Sequence, residues 1–218
     1  MNNQNFTVVP LFSTPIFLSG ETYEMSESFF DFIKNVEKTT DVKAQGNNPS
    51  WVVPHTNSTD SYILEKKEFA DLKKFIERQL DLYVHGALKI SPKHKFYITQ
   101  SWLNFNEHGE DHHRHWHPNS LVSGVFFIDG EYCPTVVMTT EGDPPFGKGW
   151  RFGMEEFNIF NSGKWSCDNK KNTVLMFPST TEHFVDDYIG AGTRMSLSFN
   201  VFVKGNMGLD IDKTELIL

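Results

Sequence analysis

The most informative chemical feature of this chain is a dense group of histidines near its middle. Imidazole is a ligand for iron, zinc, copper and nickel, so the residue type predicts a metal site without choosing the metal. A lone histidine, His183, lies far downstream, and Arg194 follows it by eleven residues. Five of the nine histidines fall within ten residues: His108, His112, His113, His115 and His117.

The spacing around these histidines predicts how they could meet. His115 and His117 stand two residues apart, which places both on one face of an extended segment. Downstream, the apolar run VLMF ends at Pro178, and a polar turn then delivers His183. Arginine binds carboxylates through two parallel hydrogen bonds, so Arg194 predicts an anion pocket beside the metal. The alternative for Arg194 is a structural salt bridge.

The strand that carries Arg194 has a strict alternation of side chains. From Arg194 to Asn200 the even positions are Arg, Ser, Ser and Asn, and the odd positions from 195 to 203 are Met, Leu, Phe, Val and Val. A period of two separates one polar face from one apolar face. We interpret the polar face, which includes Ser196, as the lining of a cavity. Asn104, on an earlier predicted strand, could line the same cavity.

The remaining pattern predicts elements that would position these residues. Residues 7–18 read as an edge strand, and amphipathic helices are predicted at 23–37 and 66–84, the second with Gly86 just past its end. Residues 40–62 read as a loop. The segment 141–172 is a candidate lid with a strand near Phe157–Phe160.

Further strands are predicted at Phe96–Phe105, Leu121–Ile128, Thr135–Thr140, Val174–Phe177 and Thr193–Val203. The prediction is a mainly β protein with two N-terminal helices packed on one sheet.

Composition excludes several classes of function. The net charge of −8 over 218 residues argues against a nucleic-acid partner. No apolar run reaches the length of a membrane span, and MNNQNFTVVPLF lacks the features of a signal peptide. The two cysteines, Cys133 and Cys167, form no C-x-x-C motif, and a cytoplasmic protein with two free thiols is expected. Nucleophile-elbow, P-loop and dinucleotide-binding motifs are absent from the sequence.

Several motifs together resemble one enzyme family, the 2-oxoglutarate and Fe(II)-dependent oxygenases of the prolyl-hydroxylase-like type that is frequent in marine bacteria and phages. The motifs are PLFSTPIF, DSYIL, SWLNFN, HWHPNSLVSGVFF, LMFPSTTEHFV and RMSLSFN. The resemblance implies a double-stranded β-helix, the jelly roll of cupin-like proteins. It implies one domain: a strand and helical layer over 1–92, a core over 93–205 and a tail over 206–218.

The resemblance also implies cofactors and their ligands. Fe(II) would be held by His115 and His183, and 2-oxoglutarate would be clamped by Arg194 with help from Ser196 and Asn104. The common iron site in this superfamily is His-x-Asp/Glu with a distal His, whereas this chain has His117 where the carboxylate is expected. The first choice of ligands is therefore His115, His117 and His183. The second choice is His108, Glu110 and His183, which contains a His-x-Glu.

The sequence predicts an oxygenase that hydroxylates a small-molecule or peptidyl substrate. One alternative is a three-histidine, cupin-like metal dioxygenase that uses no 2-oxoglutarate, and another is a non-catalytic metal-binding barrel. The identity of the substrate and the oligomeric state, a homodimer included, are left open by the sequence.

Overall fold

A computed structural model describes residues 7–44, 52–138, 152–168 and 170–218. Strands form most of the regular structure and two α-helices accompany them, which confirms the predicted mainly β class. The helices are α1 (Glu27–Asn35) and α2 (Ala70–Asp81). The strands are β1 (Phe17–Leu18), β2 (Lys38–Ala44), β3 (Val52–Ser58), β4 (Lys95–Asn106), β5 (His112–His115), β6 (Val122–Asp129), β7 (Thr135–Met138), β8 (Lys164–Cys167), β9 (Val174–Pro178), β10 (Glu182–Val185) and β11 (Arg194–Lys204).

The strands form two antiparallel sheets. The larger sheet has the order β1-β9-β6-β11-β4-β3-β2, and the smaller has the order β5-β10-β7-β8. From β4 onward the chain passes repeatedly from one sheet to the other, so strands that are far apart in sequence become neighbours. In this way β5 pairs with β10, which brings the histidine cluster against the segment that carries His183.

Strand β11 lies between β6 and β4 in the larger sheet, and its two faces have different surroundings. Leu197, Phe199 and Val201 are fully buried in the core shared with the helices. Arg194 and Ser196, with Ser198, line a cavity on the opposite face. The alternation of the sequence therefore predicted both faces of this strand.

The helices cover the outer face of the larger sheet. Leu72, Ile76 and Leu80 of α2 are buried in the same core as Leu103 and Phe126, which come from β4 and β6. This packing removes the apolar face of β11 from water and leaves only the polar face for a site. No helix in the described part of the chain has both the length and the apolar character needed to cross a bilayer.

Both helices are shorter than predicted because local interactions at their ends stop them. The Ser26 hydroxyl accepts a hydrogen bond from the Phe29 amide (3.4 Å) and begins α1, and the backbone at Val36 is already extended. The chain enters α2 through a 3₁₀ turn at Lys67–Phe69 and leaves through a π-helical turn at Leu82–Ala87. Gly86 therefore lies inside the last turn and does not follow it.

The prediction of a loop over residues 40–62 is wrong. Strands β2 and β3 form a ribbon, in register from the Lys38–Ser58 pair to the Ala44–Val52 pair, that joins the larger sheet through β4. The sequence here is mostly polar and lacks a regular alternation of apolar and polar residues, so the strands are recognised from their backbone pairing. Residues 45–51, with Gly46 and Pro49, lie outside the described part.

The prediction of a strand near Phe157–Phe160 is also wrong. Two asparagines hold a turn there: the Asn158 side chain accepts a hydrogen bond from the Phe160 amide, and Asn161 accepts one from the Asn158 amide, each at 2.8 Å. Such local side-chain bonds compete with strand pairing. The strand of this segment is β8, slightly later. Of the candidate lid 141–172, residues 141–151 and 169 lie outside the described part.

Candidate metal centre

The pairing of β5 with β10 sets the positions of the histidines. His183 lies opposite His115, and Val185 lies opposite His112, so the three residues 183–185 of β10 face the four residues 112–115 of β5. This bulge turns both His112 and His115 toward the cavity between the sheets, where their rings stack with centroids 4.4 Å apart. Simple alternation along the strand does not predict this arrangement.

Three imidazoles converge at one point of the cavity. His115, His117 and His183 each offer a ring nitrogen, and these three nitrogens lie within 4.8 Å of one another. The Nε2 atoms of His117 and His183 are 3.3 Å apart. Two nitrogens bound at about 2.1 Å to one ion, at right angles, would be separated by about 3 Å. The spacing of these rings therefore fits a shared metal ion.

Backbone carbonyl groups orient two of the three rings. Nδ1 of His115 lies 2.7 Å from the His113 carbonyl oxygen, and Nδ1 of His183 lies 3.0 Å from that of Thr181. A ring that donates its Nδ1 hydrogen has its lone pair on Nε2. Outer hydrogen bonds of this kind fix the tautomer and the direction of metal-ligating histidines.

Burial keeps two of the rings neutral. It lowers the pKa of His117 to about 4, with a smaller contribution from His115, and it lowers the pKa of His183 to about 4. Both rings are therefore unprotonated at neutral pH, which is the form that binds a metal.

Serines place His117, and the sequence analysis did not identify them. The His117 amide donates to the Ser179 carbonyl oxygen (3.0 Å), and the Ser179 hydroxyl donates to that of Ser120 (2.8 Å). The hydroxyl of Ser123 lies 2.8 Å from that of Ser179. Ser120 belongs to the motif HPNS and Ser179 to the motif PSTTEH, so each histidine motif contains a serine. These two serines were the only sequence feature that pointed to the supporting hydrogen bonds.

Arg194 lies in the same cavity and is almost fully buried, with 3% of its surface exposed. Its Nη1 donates to Asn106 Oδ1 (3.2 Å) and to Ser196 Oγ (3.5 Å), and its Nε has no hydrogen-bond partner among the residues that the structure describes. Among the described residues no carboxylate forms a salt bridge with it. Burial lowers the pKa of Arg194, but guanidinium stays protonated in proteins. A buried cation with a free donor suits an anionic ligand.

Asn104 links the strands that form the wall of the cavity. Its Nδ2 donates to Ser198 Oγ (2.9 Å) and Ser196 Oγ (3.3 Å), and its Oδ1 accepts from Trp102 Nε1 (3.0 Å). Asn106, two residues further along β4, was missed by the sequence analysis, although it continues the alternation of Trp102 and Asn104 on the cavity side.

The second-choice ligands are not brought together. His108 is exposed in the turn after β4, and the Glu110 carboxylate accepts a hydrogen bond from the Glu107 amide (2.8 Å). Among the described residues, a group of three ligating atoms within 4.8 Å is formed only by His115, His117 and His183.

Comparisons with known proteins relate part of this chain to one enzyme family. Residues 100–200 match the family model described as "Putative 2OG-Fe(II) oxygenase". A search of curated proteins found no match. The matched residues include the three histidines and Arg194, so this part of the chain is similar to the 2OG-Fe(II) oxygenase family. This confirms the resemblance to this family that was expected from the sequence, and the name of the family model refers to iron and 2-oxoglutarate.

Solved structures show a similar fold at low sequence identity. A 2OG-Fe(II) oxygenase family oxidoreductase from Burkholderia pseudomallei aligns with a TM-score of 0.54 at 10% identity, covering 80% of this chain and 76% of that one. HygX from Streptomyces hygroscopicus, with nickel, 2-oxoglutarate and hygromycin B bound, gives 0.53 at 8% identity, covering 86% and 82%. A prolyl hydroxylase from Trichoplax adhaerens, in complex with a peptide fragment of hypoxia inducible factor, gives 0.55 at 11%, covering 86% and 83%.

Proposed function

We propose that this protein is an Fe(II) and 2-oxoglutarate-dependent hydroxylase whose two sheets form a double-stranded β-helix around the site. One observation carries the proposal: three convergent imidazoles line the same cavity as a buried arginine that has no carboxylate partner in the described part of the chain. The first is a metal-binding group and the second is an anion-binding group. A ligand with one end on a metal and a carboxylate at the other end fits both.

The residues fit the expected cofactors in their chemistry. His115, His117 and His183 would hold the metal through Nε2, because the Nδ1 atoms of His115 and His183 face carbonyl oxygens. When bound, Fe(II) supplies the redox chemistry that couples oxidation of 2-oxoglutarate by O₂ to hydroxylation of a C–H bond. Phe177, whose ring centroid lies 4.6 Å from that of His183, forms an apolar part of the wall beside this ligand.

Arg194 would bind the far carboxylate of 2-oxoglutarate. Its Nη1 is fixed by Asn106 and Ser196, which leaves Nε to donate to a ligand. The hydrogen bonds of Asn104 to Ser196 and Ser198 keep the neighbouring wall in place. The arginine is thus positioned before the ligand arrives, which lowers the entropic cost of binding.

One observation favours a second candidate, a three-histidine dioxygenase that uses no 2-oxoglutarate. Within the described ranges, the converging side chains are all imidazoles, with no carboxylate among them. Arg194 would then bind a carboxylate of the substrate itself. The two candidates differ in whether 2-oxoglutarate binds.

The substrate is proposed only as a class, either a small molecule or a peptide. Among the similar structures, HygX holds hygromycin B and the prolyl hydroxylase holds a peptide fragment, so this fold accepts both kinds.

Substitution of Arg194 tests the proposal. We expect Arg194→Ala to weaken 2-oxoglutarate binding at least about 100-fold, because losing one side of a buried charged pair costs several kcal/mol and about 1.4 kcal/mol is tenfold. The measurement is anaerobic calorimetric titration of 2-oxoglutarate into Fe(II)-loaded protein, with metal content determined separately. Metal content should not change.

The matched control is Arg114→Ala, because Arg114 is an exposed arginine of β5 that pairs with Glu182 outside the cavity. Its loss should leave 2-oxoglutarate binding within about twofold of wild type. Equal binding by wild type and Arg194→Ala would contradict the assigned role. No binding of 2-oxoglutarate by the metal-loaded wild type would favour the second candidate.

A further inference from the structure

We propose that Gly130, in the turn after β6, is a positioning residue that sets the place of Arg194 and therefore the affinity for 2-oxoglutarate. The inference rests on the proposed function and concerns a residue outside the metal-binding group.

The geometry at Gly130 admits no side chain. Its φ of +118° lies in a region that residues with a Cβ rarely adopt. A Cβ built on this backbone would lie 2.9 Å from Arg194 Cα, 3.1 Å from its Cβ and 3.3 Å from its Cγ. Contacts this short require one partner to move. The backbone of Gly130 therefore forms the surface against which the base of the Arg194 side chain rests.

Hydrogen bonds to residues 188–191 restrain the turn that contains Gly130, so the turn cannot easily move away from Arg194. The amide of Glu131 donates to the Tyr188 hydroxyl (3.1 Å), which donates to the Ala191 carbonyl oxygen (3.0 Å). The Ala191 amide in turn donates to Glu131 Oε1 (3.1 Å). Tyr188 is fully buried. These bonds fasten the turn to the segment that leads into β11.

The pairing of β6 with β11 is irregular beside this turn, where Gly130 lies close to Arg194. Met195 lies opposite Asp129, but Ser196 lies opposite Phe127, so β6 has one extra residue there. A bulge of this kind changes the direction of nearby side chains. Arg194 begins the partner strand directly beside the bulge.

A small cavity beside Arg194 could accommodate its side chain if that side chain were displaced. A small cavity borders Gly130 and Arg194 and is lined also by Phe127, Lys171 and Met195. A methyl group at position 130 would therefore shift the arginine and need not unfold the sheet. Two-point binding of a carboxylate depends on the direction of the guanidinium, so a small shift weakens it.

Gly130→Ala is the test, and Gly205→Ala is the matched control. Gly205 has nearly the same φ, +112°, but a Cβ there would meet only the Lys93 carbonyl oxygen, at 3.6 Å. It lies at the far end of β11, about 35 Å from Arg194 by strand rise. Both variants carry the backbone strain, and only Gly130→Ala would touch the arginine.

The measurements are 2-oxoglutarate affinity by calorimetry on Mn(II)-loaded protein, metal content, and KM and kcat with Fe(II). We expect Gly130→Ala to weaken 2-oxoglutarate at least tenfold and to raise KM with a smaller change in kcat, at unchanged metal content. Gly205→Ala should bind 2-oxoglutarate within twofold of wild type. Equal affinities in the two variants, or equal losses, would overturn the inference.

If Gly130→Ala does not fold, a second variant tests the proposed role of the turn. Tyr188→Phe keeps the ring and removes the hydroxyl that fastens the turn, so 2-oxoglutarate affinity should fall several-fold with metal content unchanged. Wild-type affinity in Tyr188→Phe would then overturn the inference. Failure of the wild type to bind 2-oxoglutarate would instead refute the proposed function, so the two failures are distinguishable.

Discussion

His117 is the residue that most distinguishes this site from the common 2-His-1-carboxylate arrangement of non-haem iron enzymes. An imidazole in place of a carboxylate leaves the bound metal with one more unit of positive charge. The ring is placed by the backbone bond to Ser179 and kept neutral by burial. Its position, and not only its type, therefore fits the proposed role of a metal ligand.

We expect His117→Asp to retain Fe(II), because a carboxylate at this position restores the common ligand set. Metal content and 2-oxoglutarate-dependent turnover should both be measurable in the purified variant. Glu110→Ala, made in parallel, should keep its metal, since Glu110 bonds to the Glu107 amide and lies outside the group. Loss of iron from Glu110→Ala alone would reverse the choice between the two ligand sets.

We expect His183→Ala to abolish iron binding, because the other two ligands come from one short segment and cannot enclose the metal by themselves. Atomic absorption on the folded variant gives the stoichiometry. His108→Ala is the control, since His108 is exposed and outside the group. Full iron occupancy in His183→Ala would refute the assignment.

The sequence indicated the histidines and the arginine that line the cavity better than the residues that support them. His115, His117, His183 and Arg194 stand in patterns that can be read locally, and all four line one cavity. Asn106, Ser120 and Ser179 act through partners that are remote in sequence, such as Arg194 for Asn106. Their roles depend on which strands pair, and single-sequence patterns do not give that pairing.

Among the elements, α2 and β11 follow directly from periodicity, because each has one fully apolar face. The ribbon β2–β3 and the turn at Asn158 do not, since polar strands and asparagine turns lack that contrast. The bulge in β5 also escaped prediction, although it turns His112 toward the cavity. Irregular pairing depends on the partner strand.

The packing of α2 on the larger sheet gives a prediction for stability. Leu72 is fully buried in the shared core, whereas Leu82, in the turn after the helix, is 49% exposed. We expect Leu72→Ala to lower the free energy of unfolding by about 2–5 kcal/mol. Leu82→Ala should lower it by less than about 1 kcal/mol. Urea unfolding measures both, and equal losses would contradict the described packing of the helix.

At the level of the whole molecule, a buried phenol, that of Tyr83, and a buried thiol, that of Cys167, predict that the free energy of unfolding falls at high pH. Burial raises the pKa of Tyr83 to about 12, and burial, with a smaller effect from Asp168, raises that of Cys167 to about 11. The unfolded chain loses these protons at lower pH, near 10 and 9. Stability from both groups is therefore complete below about pH 9 and is lost as pH rises toward 12, by up to about 1.4 kcal/mol per pH unit for each group.

Urea unfolding at several pH values between 8 and 12 would show this loss. Tyr83→Phe should have a shallower decline above pH 10, because only the hydroxyl that bonds to the Pro15 carbonyl oxygen is removed. Parallel declines in the variant and the wild type would show that Tyr83 contributes nothing to it.

The most direct test of the proposed function is release of labelled CO₂ from 2-oxoglutarate labelled at its C1 carboxylate. Anaerobic, Fe(II)-loaded protein would be mixed with the labelled compound and then exposed to O₂. We expect CO₂ and succinate in equal amounts, dependent on Fe(II) and absent from His183→Ala. Oxygen uptake without CO₂ release, or release equal to that of His183→Ala, would contradict a 2-oxoglutarate-dependent oxygenase.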